Sequence, residues 1–145
     1  MDRDILVDQL DALLQHAFME TLAYFSVAVL ALILFLALFE MVTRYTTWTQ
    51  IKAGNVAVAM AVSGKIFGIC NVFRYAIELK NDSMYVAFGW ASYGFVLLLA
   101  AYYIFEFLTP VFKVDEALEQ DNRAVGFISL TLSVALSYVI GASIH

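Results

Sequence analysis

The chain has 145 residues, of which 63% are hydrophobic and only 14% charged, with a mean hydropathy of +0.82. A soluble domain carries about 25% charged residues, so this composition describes an integral membrane protein and excludes other broad classes. The net charge of −5 at pH 7 leaves no basic surface for nucleic acid, and the single cysteine, Cys70, excludes an intrachain disulfide or a multi-cysteine metal site.

Residues 1–17 are predicted as an amphipathic helix, because Ile5, Leu6, Leu10, Leu13 and Leu14 recur at helical spacing between acids. Such a segment lies on the membrane surface or docks a partner. Its charge, Asp2, Asp4, Asp8 and Asp11 against Arg3, is the reverse of a signal peptide's, so insertion is expected to rest on the first span. That span covers about 18–42, long enough to cross roughly 30 Å of hydrocarbon. Glu20 and Glu40 lie just inside its two ends. A polar connection follows, with Trp48 suited to the membrane interface and a turn at Gly54-Asn55.

The second span covers about 55–77 and carries Lys65 and Arg74; a tip at 79–83 reverses the chain. The third, about 84–108, is crowded with aromatic residues and has Glu106 near its end, with Pro110 as a helix stop. An acidic connection, KVDEALEQDN, leads to the fourth span at about 124–144. Long apolar segments of this kind are helices, since barrel strands would alternate. Cys70, inside one of them, is expected as a small buried hydrophobe.

The two halves align. Phe39-Glu40 and Thr43 match Phe105-Glu106 and Thr109, while Ile51, Asn55, Ala57 and Val58 match Leu118, Asn122, Ala124 and Val125. Residues 18–78 and 79–145 therefore form two tandem helical hairpins that enter the membrane in the same orientation, a parallel repeat. Asn55 and Asn122 each suit the N-cap of the helix they open. Ala57, Ala61, Gly64 and Gly68 make one small-residue face, and Gly126, Ser129, Ser133, Ser137 and Gly141 another. In lipid, packing energy comes from close backbone approach at such faces, so they are candidates for helix contacts within or between protomers.

Lys65 stands about 15 Å beyond Asn55 at 1.5 Å rise per residue, close to the bilayer midplane. A lysine there costs at least about 2.5–3.5 kcal/mol on insertion scales, so it should face protein or water. Glu40, Glu106, a tyrosine hydroxyl and the Asn71 amide are candidate partners; snorkelling towards the interface is the structural alternative. Arg74 and Glu20 are expected to pair near the opposite face. The connections hold Arg44, Lys52, Lys113 and Arg123 against Arg3, Arg74 and Lys80 on the other side. The positive-inside rule then places the connections in the cytoplasm and both termini outside. No nucleophile elbow or phosphate loop is present, and His16 and His145 lie at the ends, so no catalysis, cofactor or metal is expected.

Thr43, Trp48, Ile51-Lys52, Asn55, Ala57, Ala59, Ser63-Gly64 and Gly68, with the echo Asn122-Arg123-Ala124-Val125-Gly126, resemble the bacterial family called domain of unknown function 350, the YjfL-like inner-membrane proteins. The resemblance covers about 23–143. It implies a multi-pass inner-membrane protein of two tandem hairpins, found in envelope-stress gene neighbourhoods and with no established activity. Lys65 departs from the family pattern, which has a small or apolar residue there. A non-enzymatic component of envelope maintenance that assembles with itself or a membrane partner is expected. A small ion channel or transporter subunit, with Lys65, Glu40 and Glu106 in a polar path, is the alternative.

Overall fold

A computed structural model describes residues 2–79, 84–109 and 113–144, so the tip at 80–83, Pro110 and His145 lie outside the described residues. The elements are α1 (Asp2–Val42), α2 (Thr47–Lys52), α3 (Val56–Leu79), α4 (Met84–Leu108), α5 (Val114–Glu119) and α6 (Arg123–Ser143). Among the described residues all regular structure is helical. Four stretches are long and apolar enough to cross a membrane: His16–Val42, Val56–Glu78, Met84–Leu108 and Arg123–Ser143. The chain divides into two compact units, Met1–Ala31 and Leu32–His145.

In the first unit the backbone differs from expectation. No break separates an N-terminal amphipathic helix from the first span; α1 is helical throughout from Asp2. Residues 2–42 contain neither glycine nor proline, so a change from polar to apolar surroundings alters the side chains and not the fold of the backbone. Thr21 and Ser26 return their hydroxyls to the carbonyls of Ala17 and Leu22, which lets polar side chains sit in an apolar helix. Glu20 lies 4.0 Å from His16, and Arg74, in the second unit, pairs with Glu78 at 3.3 Å. Within its own unit each charge has a neighbour one turn away on the same helix.

The second unit is built on α3, the most buried of the spans. Its closest neighbour is α6, and the register is set by small residues. Gly126 faces Ala57, Gly64 faces Leu130 and Ser133, and Gly68 faces Ser133 and Ser137. The pairs advance together, so α3 and α6 run parallel. A Cβ on Gly126 would lie 2.7 Å from Ala57 Cα, and one on Gly64 would lie 2.7 Å from Leu130 Cα, distances no side chain tolerates. Lower down, Asn71 donates to Ser137 at 3.0 Å in a buried contact. Asn71 is thus committed to α6 and is not a partner of Lys65.

Helix α4 lies antiparallel to α3, with Leu98 on Gly68 and Val72 on Gly94. Residues 32–42 of α1 reach this bundle through aromatic rings rather than close backbone approach. Phe35 stacks on Phe95 at 4.3 Å, and Phe39 meets Phe95 and Tyr102 edge-on. Cys70 is exposed on the outside of α3 and not buried as expected, because the inward face is taken by the residues that meet α4 and α6.

Each connection contains a six-residue helix, α2 or α5, that roofs the bundle. Below them Tyr45, Val58, Val62, Val114, Leu118 and Val125 form a common apolar core. The two connections end in the same hydrogen bonds. Gly54 N–H donates to Ile51 O and Asn55 N–H to Gln50 O, while Asp121 N–H donates to Leu118 O and Asn122 N–H to Ala117 O. This double closure is the Schellman pattern, which requires a left-handed residue after the helix. Gly54 supplies it at φ 88°, and Asp121 does so at φ 59° despite its Cβ.

Candidate functional site

The asparagines that follow these turns do different amounts of work. Asn122 is exposed, and its side chain accepts the Val125 amide at 3.3 Å. Asn55 is buried at 7% exposure and accepts from Val58 N at 2.9 Å. Its amide nitrogen also crosses to the other connection, donating to Leu118 O at 2.8 Å and Glu119 O at 3.0 Å. Those carbonyls sit at the end of α5, where intrahelical donors run out and Leu118 O has only the Asp121 N–H of the closing turn, so Asn55 caps two helices at once. Asp121 returns the contact by accepting the Ala57 amide at 2.9 Å.

That N–H holds the Asp121 carboxyl below the usual carboxylate range, with the Arg123 charge adding to the effect. A carboxyl depressed in the folded state contributes stability in full above its unfolded value near 4, and loses it as pH falls through the folded value. The Ala57 amide is therefore expected to lose hydrogen-exchange protection below about pH 4. Asp121→Asn should remove that pH dependence when protection factors are compared at pH 3 and pH 7.

Beneath the roof lies the charged centre. Lys65 is only 3% exposed, with its ammonium 4.9 Å from the Tyr102 ring and 5.0 Å from the Phe39 ring. Ring faces attract a cation through their quadrupole. Among the described residues Lys65 makes no hydrogen bond and no ion pair within 4.0 Å. Glu40, Glu106 and Asp115 attract it only from beyond contact. It projects into a cavity of about 220 Å³ lined by Phe39, Glu40, Thr47, Trp48 and Val62, among others. Trp48, on α2, is 59% exposed.

Tyr102 links this cavity to a second one. Its hydroxyl donates to Asp115 Oδ1, and Asp115 Oδ2 accepts the Arg44 amide at 3.1 Å. Asp115, Arg44, Glu106, Lys113 and Glu116 line a cavity of about 250 Å³ between the connections. The structure thus brings Lys65 and Glu40 to one cavity and places Glu106 in the next, with Tyr102 and Asp115 between. Tyr45 lies close by with its hydroxyl buried and without a hydrogen-bond partner among the described residues. Burial raises its phenol above the ordinary value, and the charges of Asp115 and Glu106 raise it further.

Asp115 and Tyr102 were not singled out in the sequence as members of a site. Asp115 sits in an acidic run that reads as solvated. The available signal was Val114 and Leu118, one turn apart and both fully buried, which turn that side of α5 inward with Asp115 beside it.

Comparison with known proteins agrees with the helical, multi-pass architecture. The family described as Domain of Unknown Function (DUF350) matches residues 12–144. A UPF0719 transmembrane protein, YshE of Bacillus subtilis (strain 168), is 56% identical over 130 residues, which cover 90% of this chain and 96% of the relative. No solved structure matches the chain. With spans, junctions and family match in agreement, the chain is a multi-pass membrane protein that belongs to the DUF350 family.

Proposed function

We propose that this protein is a non-enzymatic component of the bacterial plasma membrane that handles a charged solute at Lys65, as a channel or transporter subunit. The observation that carries the proposal is a lysine buried in a cavity with no carboxylate in contact. Such a group is costly and is kept where a pathway or ligand uses it. From Lys65 polar groups continue through Tyr102 and Asp115 to Glu106, and Glu40 and Thr47 share its own cavity. On the other side α3 and α6 meet at small residues. We place the rest of the path in an assembly of the protein with itself or with a membrane partner. Envelope maintenance, suggested by the family resemblance, is the setting in which we place it.

Assembly through the small-residue faces would need a free surface there. Ala57, Gly64, Gly68, Gly126, Ser133 and Ser137 are occupied between α3 and α6 of the same chain. The outward apolar faces of α1 and α4 are the surfaces left for a partner. The matching turns and asparagines at the two junctions, and the parallel course of α3 and α6, support two tandem hairpin repeats. The excess of Arg44, Lys52, Lys113 and Arg123 supports cytoplasmic connections and external termini.

Liposome flux assays test the proposal. Wild type is expected to pass small ions, and Lys65→Met to lower the flux at least tenfold. Its thermal midpoint should be unchanged or raised, since a buried charge without a counter-ion is removed. No flux from wild type would sink the transport reading.

A further inference from the structure

The cavity that receives Lys65 also contains an acid, and the two do not meet. Lys65 and Glu40 line the same space of about 220 Å³ yet form no ion pair within 4.0 Å. A bare anion bound there would satisfy Lys65 and be repelled by Glu40; a bare cation would do the reverse. A solute carrying both charges a few ångströms apart balances both groups, and desolvated charges persist only when paired. Thr47 adds one hydroxyl; the rest of the lining is apolar, with Ile33, Leu36, Ala37, Phe39 and Val62, and exposed Trp48 completes it from the short helix α2. Apolar walls around a few convergent polar groups are the usual form of a small-ligand site. A tryptophan at a membrane interface stands at headgroup level.

We propose that this cavity binds a phosphoethanolamine-type headgroup, with the phosphate on the Lys65 ammonium and the ligand's ammonium on the Glu40 carboxylate. The inference rests on Lys65 as the working group and adds the class of ligand it takes. A phosphate gains from a charge-assisted contact with the lysine. A primary ammonium keeps N–H donors for Glu40 that a choline group lacks. Thus phosphatidylethanolamine should be preferred over both phosphatidylcholine and phosphatidylglycerol.

The test is native mass spectrometry of protein released from vesicles of equal parts of these three lipids. Wild type is expected to retain one phosphatidylethanolamine, favoured at least tenfold over either competitor. Lys65→Met and Glu40→Gln should each reduce retention at least tenfold, with thermal midpoints recorded to establish folding. Should Lys65→Met fail to fold, Glu40→Gln decides. Equal retention of the three lipids, or undiminished retention by a folded variant, would overturn the proposal. Free phosphoethanolamine at millimolar concentration separates the sources. Displacement of the lipid identifies the headgroup alone as sufficient, and its persistence identifies the lipid as the occupant. Flux that depends on Lys65 with no lipid preference would leave transport standing and remove this site; lipid retention without flux would do the opposite.

Discussion

Gly126→Ala is expected to destabilise the protein by about 3 kcal/mol, the upper end of what overpacking costs. The added Cβ would lie 2.7 Å from Ala57 Cα and 2.8 Å from Ala57 O, and backbone cannot step aside as a flexible side chain does. The nearest relief is to push α6 away from α3, which also pulls Asp121 from the Ala57 amide. Gly64→Ala meets the backbone of Leu130 at 2.7 Å and should behave alike. Gly89→Ala is the control. Nothing lies within 4 Å of a Cβ there, so the change should gain up to about 1 kcal/mol of helix propensity. Thermal unfolding in one detergent orders the three. Equal midpoints for Gly126→Ala and Gly89→Ala would contradict the close α3–α6 contact.

The two asparagines should separate just as clearly. Asn55→Ala removes a cap from Val58 N and leaves the Leu118 and Glu119 carbonyls without their cross-connection donor. A loss of roughly 2 kcal/mol is expected, because the buried Val58 amide loses its cap while Leu118 O keeps the Asp121 N–H. Asn122→Ala removes one long bond in an exposed place and should cost about 1 kcal/mol or less. The comparison is informative because the residues occupy matching positions. Equal losses would mean that the cross-links from Asn55 carry no weight.

The spans were legible because twenty or more apolar residues leave only one use for a segment in a membrane. Gly54-Asn55 was legible as a turn, since glycine there signals a left-handed backbone. Its counterpart was hidden because Asp121 adopts the same conformation with a side chain that signals nothing so sharp. The helices α2 and α5 span six residues each, too short for a periodicity to emerge. Lys65 was legible as a charge inside an apolar span, but its surroundings were not. The rings of Phe39 and Tyr102 come from distant parts of the chain, and only tertiary packing brings them to one ammonium. The small-residue faces stood out clearly. What they touched was open between protomer and partner until Gly126 was seen against Ala57.

The cross-capping by Asn55 and Asp121 has a mechanical consequence. Hydrogen bonds between separate elements gather at the connection end, at Arg44–Asp115, Asn55–Leu118, Asn55–Glu119, Ala57–Asp121 and Tyr102–Asp115. Asn71–Ser137 ties α3 to α6 further along the second unit. The second unit resembles a brush bound at its ferrule, with the rim that carries the connections clamped. When the surrounding bilayer thins or thickens, the helices must tilt to match it. That tilt will leave the clamped rim in place and be taken up along the helices that run from it.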